Sequence, residues 1–209
     1  MKHSFWLIAV LILGEICFTL MMLSPNYIRQ ASMDESLMVN VAMGEDMGTR
    51  IRNCADKWYK TLIIDNHVES HVRHFLIPSR VERDNSRGLE DLGDSLWPQV
   101  ERRIVTMMDF IYWLMRRAVL LMMWLPACLP ATVCSILGGL CLREIKKTNF
   151  DIASSVVFRY AIRLSGVITG LFFLAFLAPV TMPPIVIPII LCGVLILLGL
   201  SMSNMAKRI

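Results

Sequence analysis

Few residues in this chain have side chains that could do chemistry, and the most conspicuous is a single acid. Glu15 interrupts the apolar run FWLIAVLILGEICFTLMML, residues 5–23. Phe5, Leu7, Ile8, Val10, Leu11, Ile12, Leu13, Ile16, Phe18, Leu20 and Leu23 each favour membrane insertion by about 0.3–0.6 kcal/mol, against roughly 3 kcal/mol opposing for one charge at mid-membrane. The run therefore inserts. Hydrocarbon does not solvate a carboxylate, so Glu15 needs a partner, a proton or a polar groove. Two readings stand: a contact point for another membrane protein or a proton-linked site, or a protonated acid satisfied inside the bundle by a group such as Ser165 or Thr169.

His67, His71 and His74 fall at i, i+4 and i+7 with Glu69 nearby, a spacing that can gather a zinc ion on one helix face. No Cys or fourth ligand follows at a telling distance. Polar histidines beside Val68, Val72 and Phe75 are also what a solvated helix face presents, so no metal and no cofactor are expected. The third group is basic: REIKKTNFDIASSVVFRYAIR carries Arg143, Lys146, Lys147, Arg159 and Arg163 against Glu144 and Asp151. No phosphate-binding loop, nucleophile elbow, HExxH or dinucleotide fingerprint is present. Asp109 near Arg116 and Arg117 reads as an interfacial ion pair rather than an acid/base site. The chain is expected not to be an enzyme.

These residues must be positioned by elements that live in lipid. Of 209 residues 56% are hydrophobic and 18% charged, and the mean hydropathy is +0.57, more apolar than an ordinary soluble domain. Four runs have the roughly 17–25 residues a crossing needs: residues 5–23, 119–142, 164–182 and 184–203. The first has no small-x-small cleavage site and reads as an uncleaved anchor. The fold class expected is all-α: an integral membrane protein with four transmembrane helices and a small helical external region. Residues 1–23 form the cytoplasmic tip and first span, 24–118 the extracytoplasmic region, and 119–209 a three-span region with the basic link 143–163.

Orientation follows from the bases. The link and the tail with Lys207 and Arg208 belong on the cytoplasmic side, and the uncharged APVTMPP makes a tight outer turn. Both termini then lie in the cytoplasm. Thirteen Lys/Arg and fourteen Asp/Glu are mixed between residues 24 and 118, so the net charge of +4 encodes topology and not nucleic-acid binding. In the external region Trp58, Leu62, Ile63, Val68, Val72, Phe75 and Leu76 recur at helical intervals, predicting a helical pair with a modest core. Residues 104–118 read as an amphipathic helix on the outer surface, with Tyr112 and Trp113 at the interface and the two arginines snorkelling to the headgroups.

Small residues mark where spans meet: Ala131, Ser135 and Gly139 in the second, Gly166 and Gly170 in the third. They serve packing within the chain or a homo-oligomer. Pro126 and Pro130 should kink the second span. Of six cysteines only Cys54 lies in the polar region, so no disulfide framework exists within it.

The link LREIKKTNFDIASSVVFRYAIRLSG, the uncharged hairpin LAPVTMPPIVIPIILCGVLILLGLSMSNMAKRI and the single anchor before a helical external region resemble a family of inner-membrane proteins of bacterial integrating conjugative elements and large conjugative plasmids. Arg143, Arg159 and Arg163 match its basic residues before the third span. In that family the gene commonly lies beside that of the TraD-type coupling ATPase. The resemblance implies a role in type IV secretion during conjugation, in contact with membrane lipids and with the coupling ATPase or other secretion-system subunits, without touching DNA. Glu15, Arg143, Lys146, Lys147, Arg159 and Arg163 are the expected partner contacts. A small transporter or proton-coupled channel subunit using Glu15 is the alternative, and exclusion of incoming elements by a recipient cell a third.

Overall fold

The computed structural model describes residue 14 and residues 24–76, 97–149 and 154–205. The first expected span, with Glu15, lies outside them. Among the described residues the fold is all-helical, with no strand: α1 Pro25–Met43, α2 Glu45–Tyr59, a π-helical stretch Lys60–Ile64, α3 Val68–Leu76, α4 Trp97–Thr148, α5 Ser155–Leu177 and α6 Val186–Ser203. Three helices, α4, α5 and α6, are long and apolar enough to cross a membrane. That is one fewer than the four expected, the missing one being the run that is not described. The chain divides into a unit that runs up to Val119 and includes Leu177–Thr181, and one made of Leu120–Phe176 and Met182 onward.

In the first unit local chemistry sets each boundary. The Ser24 hydroxyl accepts from the Tyr27 amide (3.3 Å) and Pro25 occupies the first turn of α1, where a missing N–H is harmless. Gly44, at φ 88° and ψ 156°, ends α1 and starts α2 in a conformation essentially reserved for glycine. Glu45 and Asp46 then sit in the first turn of α2 and Lys57 in its last, each matched to the helix dipole. Helix α2 folds tightly back on α1, because a Cβ at Gly48 would fall 1.8 Å from Asn40 Oδ1.

The helix face expected to carry His67, His71 and His74 is interrupted at His67. After the π-helical stretch the Asn66 side-chain amide donates to the Thr61 (3.0 Å) and Leu62 (3.3 Å) carbonyls, closing the helix end. His67 follows with φ 52°, outside the helical region. It therefore does not share a helix interior with His71 and His74, and among the described residues no three His, Cys, Asp or Glu are gathered for a metal ion.

Helix α1, absent from the expected helical pair, buries Ile28, Ala31, Glu35 and Val39, a stripe at helical spacing. The first half of α4 carries two stripes. Phe110 and Trp113 pack on Ile28 and Ala31, while Ile104 and Met108 pack on Ile63, with Tyr59, Val68 and Val72 around them. A helix apolar on two sides serves a core from its middle. Residues 104–118, expected as a separate surface helix, are thus continuous with the span that follows. No breaker intervenes before Pro126. The 52 residues of α4 are about twice the roughly 17–25 that a bilayer crossing takes.

In the second unit α4 and α6 run parallel. The Ser135 hydroxyl donates to the Leu195 carbonyl, a Cβ on Gly139 would meet Gly199 O at 2.5 Å, and Lys146 Nζ donates to Asn204 Oδ1 at 3.0 Å. The order of contacts rises together along both helices. Pro126 and Pro130 lie inside α4, each removing one backbone bond, as membrane helices tolerate.

Candidate functional site: a buried arginine cluster and a basic helix end

The deepest polar group in the first unit is an ion pair. Glu35 occupies a core position of α1 between Ala31 and Val39, and Arg117 continues the stripe of Phe110 and Trp113 on α4. Their side chains are 6% and 2% exposed. Arg117 Nη2 donates to Glu35 Oε2 at 2.7 Å and Nε to both carboxylate oxygens at 3.1 and 3.0 Å. Its remaining donors go to backbone: Nη1 to the Ala178 carbonyl at 2.7 Å and Nη2 to the Val180 carbonyl. The guanidinium carbon stands 4.3 Å from the Trp113 ring centroid, a cation–π contact in a dry setting. Each Arg117 nitrogen is directed at a protein acceptor, so the cluster clamps α1, α4 and the segment after α5 together.

This corrects the expected ion pair. Asp109 bonds Arg29 across 2.8 Å in the open, not Arg116 or Arg117. Arg117 reaches inward, and Arg116 Nη1 donates to the Ser32 hydroxyl at 3.1 Å. Trp113, expected at the membrane interface, is 1% exposed. Tyr112 donates to Asp56 Oδ1 at 2.6 Å and meets Tyr59 edge-on, centroids 5.5 Å apart. The Tyr112 hydroxyl is pushed up to about 12 by burial first, then by its bond to Asp56 and that group's charge. Burial, with Glu69 and Asp109 nearby, also raises Tyr59.

The second cluster is the basic end of the second unit. Lys146 ties the end of α4 to Asn204 after α6, Lys147 pairs with Glu144, and Arg159 Nε donates to the Ser155 carbonyl at 3.4 Å. Arg143 is partly exposed and Arg163 exposed. Residues 150–153 are not described, but the residues on either side belong to this unit. Lys146 and Lys147 in the last turn of α4 also favour the negative end of the helix dipole.

The small residues divide. Ser135 and Gly139 make the α4–α6 crossing, and Gly199, not singled out from the sequence, is its other half. Ala131 is exposed. A Cβ on Gly166 or Gly170 would meet nothing within 4 Å.

Among the described residues, an all-helical fold with three helices long and apolar enough to cross a bilayer, beside a helical unit with its own core, points to a membrane protein. The model of one family, described as IncC plasmid conjugative DNA transfer protein DtrJ-like, matches residues 25–209. The chain belongs to this DtrJ-like family, and a role in conjugation goes with it. Comparison with curated proteins and with solved structures gave no match.

Proposed function

We propose that the protein is a non-enzymatic inner-membrane subunit of a conjugative type IV secretion apparatus that docks or assembles with the coupling ATPase. The observation that carries this reading is the pair Lys146 and Lys147 in the last turn of α4, with Arg143, Arg159 and Arg163 close by in sequence, in a member of a conjugative-transfer family. Bases held at a membrane surface steer and orient an acidic protein face. The parallel course of α4 and α6 supports placing the basic link and the carboxyl end on one side. By the distribution of positive charge that side is the cytoplasm.

The test reverses Arg143 and Arg159 to Glu together, with a reporter fused to the carboxyl end to read topology. Lost transfer at unchanged abundance and orientation supports docking, and copurification of the coupling ATPase in mild detergent should fall in parallel. Unchanged transfer dismisses the contact.

A further inference from the structure

We infer that the groove between α5 and α6 is a binding site for an anionic phospholipid, one acyl chain lying in the groove and the phosphate held by Arg163. The groove has a volume of about 550 Å³ and an almost wholly apolar surface, lined by Val156, Tyr160, Leu164 and Val167 of α5 and by Leu197 and Leu200 of α6. Ala161, 6% exposed, also lines it. Its short side chain leaves depth that a larger residue would fill. A convex helix surface only displaces bulk lipid, whereas a shallow apolar groove lets an acyl chain touch both helices at once.

Arg163 is the single charged residue among the lining. Lys146, Lys147 and Arg159 all have protein acceptors. Among the described residues Arg163 has none. A guanidinium on an apolar helix face needs an anion or water, and its planar fork matches a phosphate with two parallel bonds. An anionic phospholipid supplies both halves of what the site presents, a chain for the groove and an acceptor at its rim. A zwitterionic lipid of the same chains offers the phosphate with its own cation already beside it. A transmembrane helix of another protein would have to bring a carboxylate to the same point. The site stands independently of any contact with a coupling ATPase.

The experiment uses the full chain, purified in mild detergent, delipidated, and titrated with phosphatidylglycerol or with phosphatidylcholine of identical chains, bound lipid being counted by native mass spectrometry. Wild type is expected to bind phosphatidylglycerol about tenfold more tightly, the equivalent of about 1.4 kcal/mol. Arg163→Gln should bring the two lipids level, Arg163→Lys should keep only part of the preference, the charge without the two-bond fork, Arg159→Gln should leave it intact, and Ala161→Phe should weaken both. Equal binding of the two lipids by wild type overturns the site whatever the variants do, as does an unchanged preference in Arg163→Gln. A photo-crosslinker at Val167 that captures a polypeptide and no lipid in cells also overturns it.

Discussion

Glu35 and Arg117, on helices separated by most of the first unit's sequence, form a buried ion pair with Nη2 and Oε2 2.7 Å apart. Two charges removed from water are expensive to keep, and their attraction offsets that only when the other donors are satisfied. Here the Ala178 and Val180 carbonyls take two more of the Arg117 donors. Glu35→Gln or Arg117→Met alone leaves the other charge stranded and should cost about 3–5 kcal/mol. The double variant Glu35→Leu with Arg117→Met should regain most of it. Thermal unfolding in detergent measures all three, and a double variant as weak as the singles would show that the carbonyl contacts, not the pair, hold the unit.

Glu35 did not stand out from the sequence and Arg117 read as an interfacial residue, though the signal for a buried pair was there. Glu35 falls on the Ile28–Ala31–Val39 stripe and Arg117 on the Phe110–Trp113 stripe, an acid and a base each at a core position. Composition and hydropathy made the all-helical class and the spans after residue 118 readable, because long apolar runs have one solution in lipid. The continuity of α4 was harder to read. Arg116 and Arg117 look like the mouth of a span, and only tertiary partners reveal that they point into a core. The helix break at His67 was equally hidden, since it depends on Asn66 turning its amide onto carbonyls behind it.

The glycines of the spans should behave oppositely. Gly139→Ala puts a Cβ 2.5 Å from the backbone oxygen of Gly199, which cannot swing aside, so α4 and α6 must separate. A loss of about 1–3 kcal/mol is expected, the range for overpacking. Gly166→Ala has open space and removes a flexible residue from a helix interior, so it should be neutral or gain about 0.5–1 kcal/mol. Melting of the two variants side by side checks this. Equal losses would mean that something covers Gly166 in the assembled protein.

Tyr112 gives the first unit a pH dependence at its alkaline edge. Its folded value lies near 12, against 10.0 for the free group, and Tyr59 is shifted the same way. The folded chain holds protons that the unfolded chain releases, so stability is complete below pH 10 and declines as pH rises from about 10 toward 12. Tyr112→Phe should flatten that decline and lower stability at neutral pH by about 1 kcal/mol, the bond to Asp56 being lost. Melting temperature followed from neutral to alkaline pH reads both effects. An unchanged alkaline slope in the variant would remove Tyr112 as its source.

The close return of α2 onto α1 rests on an absent side chain and on one that can move. A Cβ at Gly48 collides with the Asn40 amide, 1.8 Å from Oδ1 and 3.0 Å from Cγ. The colliding atoms end a side chain, so rotation of Asn40 can relieve part of the clash. Gly44→Ala has no such escape, because the strain lies in its own backbone at φ 88°, worth about 1–3 kcal/mol. Gly48→Ala should therefore be rescued by Asn40→Ala in the same chain, while Gly44→Ala should not. The coupling energy from a double-mutant cycle distinguishes them: a non-zero value for Asn40 with Gly48 and a value near zero for Asn40 with Gly44. Additive losses at Asn40 and Gly48 would mean that the helices had already parted, and the turn at Gly44 would then be what sets their angle.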